Sequence, residues 1–196
     1  MSQQTNEQAI KVGVIGAGGR MGRMLIEAVQ NNSKTMLNAA IERQGSSLVG
    51  ADAGEVAAIG SLKVQIVDNL ETVINDIDVL IDFSLPDATE QNMQVCAEHK
   101  VAMVIGTTGF NEAQEQVLAK ASEAIAIVYA GNYSTGVNLS LKLLGMAAKA
   151  FGADADVEII EAHHKHKIDA PSGTAYMMAE AVADARGQNL KDVAIY

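Results

Sequence analysis

The sequence predicts an α/β protein with a Rossmann-like, doubly wound parallel sheet followed by a smaller α+β domain. Three observations predict this class. Short runs of β-branched residues alternate with stretches of helical periodicity. A glycine-rich turn follows the first run, and an acidic residue ends the second. The pattern then changes near residue 134.

Six apolar runs are predicted strands, and runs of this kind suit a sheet that is buried on both faces. Pro86 is expected in the first turn of one helix, where proline is favoured. Asn111 is expected to cap another helix. The predicted strands are Lys11–Ile15, Leu37–Ile41, Val64–Val67, Val79–Phe83, Val101–Ile105 and Ile125–Tyr129.

The boundary near residue 134 separates residues 1–133 from residues 134–196. The second part is predicted to hold a helix over Val137–Phe151, a long strand over Asp156–His164, and a helix that stops at Gly187. A unit this small buries too little surface to be stable alone. Because the sequence ends within the apolar run Val193–Tyr196, we expect that the natural protein continues or that partner subunits complete this part.

Composition excludes several classes of protein. The chain has 14 Lys and Arg against 24 Asp and Glu, a net charge of −10, which argues against nucleic-acid binding. With 48% hydrophobic and 19% charged residues it is not a disordered chain. It carries no apolar run long enough to span a membrane and no signal-like start. Its one cysteine, Cys96, fits a reducing compartment, so a soluble, cytoplasmic protein is expected.

The first candidate site is the turn Gly16–Gly22, which follows a predicted strand and opens a helix. Glycines there let the backbone approach a pyrophosphate, whose charge the helix N-terminus favours. Glu42 ends the second strand and is suited to bind ribose hydroxyls, whereas Arg43 is suited to pair with a 2′-phosphate. NADH and NADPH therefore both remain open. The alternative is a structural turn beside a solvated Glu–Arg pair.

A second candidate site comprises Gly106–Thr108 and Ala130–Tyr133, two segments that follow predicted strands. Ligands of open α/β sheets bind at the carboxyl ends of the strands. Small residues with exposed amides suit a flat nicotinamide ring there. The alternative is an ordinary connection between strand and helix.

The third candidate site is the basic run His163–Lys167 in an acidic protein. Histidine titrates near neutrality and lysine donates to carboxylates, so the run suits anion binding and proton transfer. If the strand persists, His163 and Lys167 share one face and point into one cleft. A solvated basic loop and a metal site are the alternatives, and the spacing suits a metal poorly.

The fourth candidate site is Pro171–Thr174 at a predicted helix start, where backbone N–H groups and a hydroxyl suit a carboxylate. The alternative is a plain helix cap.

The four segments, in this order, resemble the dihydrodipicolinate reductase family. Val14–Arg23 is similar to the family's nucleotide loop, and Glu161–Lys167 with Asp169–Ala175 resembles its signature closely. The resemblance extends from about residue 10 over essentially the whole chain. It implies that a nicotinamide cofactor, NADPH or NADH, delivers hydride to a cyclic, unsaturated 2,6-dicarboxylate in diaminopimelate and lysine biosynthesis. It implies no metal.

Carried over position by position, the resemblance implies a role for each site residue. His163 would be the acid/base group and Lys167 the proton donor, while the substrate carboxylates would be held by His164, Gly173 and Thr174. The cofactor would contact Gly16, Ala17, Gly18, Gly19, Arg20, Met21, Glu42, Arg43, Gly106, Thr107, Thr108, Ala130, Gly131, Asn132 and Tyr133.

The resemblance also implies a domain organisation. Residues 1–133 would be a dinucleotide-binding domain, and residues 134–196 the N-terminal part of a substrate-binding and oligomerisation domain. Family members normally continue to complete that domain's sheet, which builds a homotetramer, so the oligomeric state and activity of this chain are left open. The competing hypothesis is a dinucleotide-binding module without catalysis, such as a redox sensor.

Overall fold

The structure, a computed structural model, describes residues 9–165, 167 and 170–196. It divides after Ala130 into two compact units.

The first unit contains a six-stranded parallel sheet in the order β3-β2-β1-β4-β5-β6. This is the order of a doubly wound dinucleotide fold, so the predicted fold class is confirmed. The strands are β1 Ile10–Ile15, β2 Thr35–Ile41, β3 Ile66–Val67, β4 Val79–Asp82, β5 Ala102–Ile105 and β6 Ile127–Tyr129.

Local signals start the helices of this unit where expected. Pro86 occupies the first turn of its helix, and Asn111 forms a capping box with Gln114, each side chain accepting from the other's backbone N–H. Lys100 ends the first of these helices in a left-handed conformation. The helices are α1 Arg20–Gln30, α2 Ala53–Val56, α3 Pro86–His99 and α4 Glu112–Ala124, with 3₁₀ turns at Leu70–Thr72 and Ile74–Asp76.

Helices cover both faces of the sheet, because successive strand residues point to opposite sides. Val12 and Val14 of β1 pack with Ile26 of α1 in one buried cluster. Ile15 belongs to a second cluster, which contains Met93 and Cys96 of α3. The sheet is therefore buried between two apolar layers, and its carboxyl edge is left to the loops.

The second unit is helical in its described part. Its helices are α5 Thr135–Phe151, α6 Gly173–Ala185 and α7 Leu190–Val193, with a 3₁₀ turn at Gly152–Asp154. Small side chains let α5 and α6 approach closely: a Cβ added at Gly145 would lie 3.5 Å from the Ala181 carbonyl oxygen and 3.8 Å from the Ala185 Cβ. Gly187 follows α6 with φ +68°, as the predicted stop requires.

The predicted strand over Asp156–His164 is wrong: these residues form no strand in the described part of the chain. Apolar residues such as Val157, Ile159 and Ile160 predict extended backbone, but a strand also needs a neighbour whose backbone it can pair with. The described elements of this unit are helices, which offer no such pairing. His163 and Lys167 are therefore not placed on one face of a strand.

Within the described residues, no helix combines the length and apolar character that crossing a membrane would require.

Candidate functional site

The glycine-rich turn joins β1 to α1 through a close backbone approach. Gly16 has φ +69°, which suits glycine. A Cβ at Gly22 would lie 2.1 Å from the Gly16 carbonyl oxygen, so any larger residue at position 22 would push the helix off the turn. The N–H groups of Gly16 and Ala17 donate to the Ile41 carbonyl at 2.8 and 3.1 Å, which fixes the turn against β2.

Glu42 is bonded directly to this turn. Its Oε1 accepts from the Gly18 N–H at 3.0 Å and its Oε2 from the Arg43 N–H at 3.2 Å. The Leu48 side chain packs directly against Gly18, because a Cβ added at Gly18 would lie 2.2 Å from the Leu48 Cδ1. Glu42 is therefore in direct contact with the glycine turn, and the Arg43 side chain beside it is exposed.

The N-terminus of α1 is suited to an anion. Gly19 precedes the helix without a side-chain cap, and the first turn contains no acidic residue. Arg20 and Met21 of that turn are exposed. N–H groups at a helix start carry a partial positive charge, so a phosphate in front of this turn would be stabilised.

The segment Gly106–Thr108 follows β5 at the same carboxyl edge. A Cβ at Gly106 would lie 2.1 Å from the Phe83 ring, so the position requires glycine. Thr107 is buried and Thr108 is exposed. The Ala130 N–H donates to the Ile105 carbonyl at 3.3 Å, which places Ala130 beside the start of this segment.

Gly131, Asn132 and Tyr133 open the second unit. The Asn132 Oδ1 accepts from the Ser134 N–H at 2.7 Å, and its carbonyl accepts from the Asn138 side chain at 3.0 Å. Ser134 in turn caps α5 by accepting from the Val137 N–H at 3.4 Å. These bonds hold Asn132 against the first turn of α5, while Gly131 and Tyr133 are exposed.

A buried polar cluster at the carboxyl edge was not anticipated from the sequence. Asp82, the last residue of β4, is fully buried. Its Oδ1 accepts from the Ser84 N–H and hydroxyl at 2.9 and 2.6 Å, and its Oδ2 from the Asn92 amide at 2.8 Å. Nearby, the hydroxyls of Thr89 and Thr107 are 2.8 Å apart. The only signal in the sequence was a carboxylate at the end of an apolar run.

The basic segment of the second unit is organised around Glu161, which the sequence analysis did not select. The Nε2 of His163 lies 2.8 Å from the Glu161 Oε2. The other oxygen of that carboxylate, Oε1, accepts from the Ser172 N–H at 2.8 Å. His164 and Lys165 are exposed, and the Lys167 N–H donates to the His164 carbonyl at 3.1 Å, which closes a turn.

Ser172 is the cap of α6, since its hydroxyl accepts from the Ala175 N–H at 3.1 Å. Gly173 and Thr174 form the first turn of that helix. A Cβ at Gly173 would meet no atom within 4 Å, so there is open space in front of it. Glu161 therefore links the imidazole of His163 to the helix start that carries Gly173 and Thr174, two of the three predicted carboxylate-binding residues.

Hydrogen bonding explains the acidity of Glu161. Bonds from the Ser172 side chain and N–H, and then from His163, lower the pKa of this carboxyl group from 4.5 to about 2. The carboxylate is therefore ionised across the working range of most enzymes.

In the described part of the chain, no group of three or more His, Cys, Asp and Glu side chains is placed to hold a metal ion.

Comparison with known proteins gives the same family over both units. Residues 10–133 match the family model described as dihydrodipicolinate reductase, N-terminus, and residues 136–195 match the C-terminus model. The chain is 87% identical over 196 residues to a 4-hydroxy-tetrahydrodipicolinate reductase from Psychrobacter arcticus, covering all of this chain and 70% of that protein. An Acinetobacter baumannii protein of the same name is 57% identical over 188 residues, covering 96% of this chain and 68% of its own length.

Solved structures agree with these matches. A dipicolinate-bound dihydrodipicolinate reductase from Paenisporosarcina sp. TG-14 is similar with a TM-score of 0.74 and 33% identity, covering 91% of this chain and 67% of that one. The apo scyllo-inositol dehydrogenase of Lactobacillus casei has a TM-score of 0.52 and 18% identity over 72% of this chain, a likeness of fold alone. The two family models and the identity to the Psychrobacter protein establish that this chain belongs to the dihydrodipicolinate reductase family.

Proposed function

We propose that this protein uses a reduced nicotinamide dinucleotide to convert 4-hydroxy-tetrahydrodipicolinate, or dihydrodipicolinate formed from it by loss of water, to tetrahydrodipicolinate in diaminopimelate and lysine biosynthesis. The observation that carries the proposal is that Glu161 contacts both the His163 imidazole and the Ser172 N–H at the start of α6. A titratable group is thus held beside a helix start that is suited to bind an anion. A reduction of a dicarboxylate needs both features in one place. Whole-chain similarity to reductases supports catalysis over a cofactor-binding module without it.

The first unit would hold the cofactor. The close approach of Gly22 to Gly16 holds the start of α1 against the glycine turn, and a pyrophosphate would lie in front of that helix start. Glu42 would accept from ribose hydroxyls, and Gly106–Thr108 with Ala130–Tyr133 would border the nicotinamide. When bound, the nicotinamide would supply the hydride.

The second unit would bind the substrate and handle the proton. N–H groups of Gly173 and Thr174 at the start of α6, with His164, would bind the ring carboxylates. Loss of water from the 4-hydroxy substrate gives the dihydrodipicolinate ring. Reduction of that ring adds a hydride and a proton, and Lys167 would donate that proton while His163 acts as the acid/base group. Cations in this segment would also stabilise negative charge that develops on the ring.

The choice between NADH and NADPH depends on two adjacent side chains. Glu42 favours a ribose that carries free hydroxyls, whereas a 2′-phosphate would be repelled by its charge. The exposed Arg43 is suited to pair with that phosphate. We propose that the protein accepts both cofactors.

We further propose that residues 134–196 are part of a larger substrate-binding domain and that the complete protein is a cytoplasmic homotetramer. This chain spans 70% of the length of its Psychrobacter relative. Large apolar side chains of the second unit are also exposed, as a domain with further partners requires. They include Leu143, Met146, Phe151, Ile160 and Ile195.

A fluorescence titration tests the proposal. Reduced nicotinamide dinucleotide is titrated into the protein with and without dipicolinate (pyridine-2,6-dicarboxylate), the ligand of the Paenisporosarcina relative. We expect dipicolinate to tighten cofactor binding. The H163A/K167A variant should bind the cofactor as well as the unsubstituted protein but fail to reduce the substrate. If dipicolinate leaves cofactor binding unchanged, a module without catalysis is favoured instead.

A further inference from the structure

Glu161 has two acceptor oxygens, and each is used by a different donor. Oε1 accepts from the backbone N–H of Ser172 at 2.8 Å, and Oε2 lies 2.8 Å from the Nε2 of His163. The Ser172 N–H belongs to the cap residue of α6 and has no freedom to turn away. One oxygen of residue 161 is therefore committed to the helix start, which leaves the other for the imidazole.

The charge of Glu161 determines which ring nitrogen of His163 carries hydrogen. The pKa of the Glu161 carboxyl group is lowered to about 2, mainly by its hydrogen bonds from Ser172. An ionised carboxylate has no hydrogen and only accepts hydrogen bonds. The Nε2 of His163 must then be the donor in the 2.8 Å contact, and in a neutral imidazole the lone pair lies on Nδ1.

We propose that Glu161 is a positioning residue that holds His163 in its Nε2–H form and presents Nδ1 as the nitrogen that exchanges protons during the reaction. This proposal rests on the proposed reductase function, in which His163 is the acid/base group. After Lys167 gives its proton to the ring, the imidazolium passes its Nδ1 proton to the Lys167 amine, remains as the neutral Nε2–H form bonded to Glu161, and is reprotonated from solvent. Among the described residues, the Nδ1 of His163 makes no hydrogen bond that would compete with this role.

The variant E161Q separates charge from shape. A glutamine amide has one acceptor oxygen and one NH₂ donor. Its oxygen is needed by the fixed Ser172 N–H, so the NH₂ faces Nε2 of His163, which must then accept. We expect the neutral imidazole to switch to the Nδ1–H form, with its proton on the wrong nitrogen. An amide in place of the carboxylate behind a catalytic histidine has this effect in serine proteases.

Nitrogen-15 NMR of histidine-labelled full chain measures the tautomer without any activity. Spectra at pH about 8 are informative, because ordinary histidines are neutral there. The His163 signals are assigned by their loss in H163Q. We expect Nε2–H in the unsubstituted protein and a majority of Nδ1–H in E161Q. Two matched variants should retain Nε2–H: E161D keeps the carboxylate, and S172A weakens the cap of α6 but keeps the Ser172 N–H.

The result is decisive even if E161Q folds poorly. A predominantly Nδ1–H form of His163 in the unsubstituted protein overturns the proposal, as does an Nε2–H form that persists in folded E161Q.

Turnover provides an independent readout. E161Q should lose about 10²-fold or more in kcat, the typical contribution of positioned acid–base groups, with the KM for NADPH unchanged. E161D should recover most of that loss. A kcat no lower in E161Q than in S172A contradicts a positioning role. Absence of reduction by the unsubstituted protein would refute the reductase function, whereas the tautomer measurement would still decide what Glu161 does.

Discussion

The backbone N–H of Gly18 donates to the Oε1 of Glu42 at 3.0 Å, which joins the glycine turn after β1 to the end of β2. This is the place where we propose that the pyrophosphate and the adenosine ribose of the cofactor bind. Arg43 follows it, with an exposed side chain. Cofactor preference should therefore respond to these two residues in opposite directions.

Replacing Glu42 by alanine should shift the preference toward NADPH. The variant loses an acceptor for the ribose hydroxyls and the charge that repels a 2′-phosphate. A hydrogen bond to a charged group contributes about 1.5–3 kcal/mol, so the ratio of the Kd values for NADH and NADPH should rise about 10-fold or more. Fluorescence titration with each cofactor measures this ratio, and any general damage to the Gly18 turn cancels in it.

The control for that shift is R43A. It should weaken the binding of NADPH more than that of NADH, and should therefore lower the ratio of the Kd values for NADH and NADPH. Equal losses for both cofactors in E42A would show that Glu42 supports the turn alone and does not discriminate between them.

Gly22 should be the least replaceable glycine of the turn. In G22A the added Cβ would lie 2.1 Å from the Gly16 carbonyl oxygen and 2.8 Å from the Ala17 Cα, and both of these neighbours are backbone atoms. We expect a loss of about 2–3 kcal/mol in the stability of the first unit and weak cofactor binding. The matched control is G136A in α5, because the only atom that its Cβ would meet is the Ser134 Oγ, at 3.8 Å. It should be neutral or stabilising by up to about 1 kcal/mol.

Cys96 reports specifically on the first unit in this experiment. It is fully buried, and burial together with the charge of Asp82 raises the pKa of its thiol to about 12. Alkylation should therefore require opening of the unit. G22A should be alkylated faster than the unsubstituted protein, and unchanged alkylation in G22A would contradict the predicted clash.

The Thr89–Thr107 pair should show strong energetic coupling. The two hydroxyls are 2.8 Å apart, and both side chains are buried. T89V strands the Thr107 hydroxyl, and T107V leaves the Thr89 hydroxyl with only a long contact of 3.4 Å to the Ser84 Oγ. Each single change should cost about 1–3 kcal/mol, whereas T89V/T107V removes both polar groups. The double variant should therefore lose less than the sum of the single losses. Urea unfolding gives the double-mutant cycle, and additive losses would refute the coupling.

Asp52 should make the stability of the first unit depend on acid pH. It accepts from the N–H groups of Gly54, Glu55, Leu62 and Lys63 and from the Ser61 hydroxyl. These bonds, led by the one from Leu62, lower its pKa from 3.8 to about 2. Because the pKa is lower in the folded state, the stabilisation is complete above about pH 3.8 and is lost as the pH falls to 2.

The variant D52N tests that dependence. It should be less stable than the unsubstituted protein above pH 4, and the difference should shrink toward pH 2, as followed by urea unfolding. A difference that is constant over this range would contradict the assigned acidity.

The sequence predicted the first unit well, because its signals are local. Pro86 and Asn111 begin their helices as expected, and each apolar run found neighbouring strands. The strand over Asp156–His164 could not be judged in this way, because pairing depends on a partner that lies elsewhere in the chain. The apolar residues of this segment do not by themselves supply a partner strand.

The candidate site was predictable in part for the same reason. Glu42 was found from its place after β2, and its bond to the Gly18 turn follows from adjacent parallel strands. Asp82 and Glu161 were missed, because a carboxylate reveals its role only through the donors around it. The Ser172 N–H that orients Glu161 lies 11 residues away, across a loop with no regular period.

The most direct test of the reductase assignment is turnover of 4-hydroxy-tetrahydrodipicolinate by the unsubstituted protein and by H163A/K167A, followed through the absorbance of the reduced nicotinamide. We expect the unsubstituted protein to oxidise the cofactor only when the substrate is present and to form tetrahydrodipicolinate. The double variant should lose this activity but retain its affinity for the cofactor. Equal rates in the two proteins, or binding of both ligands without hydride transfer in the unsubstituted protein, would contradict it.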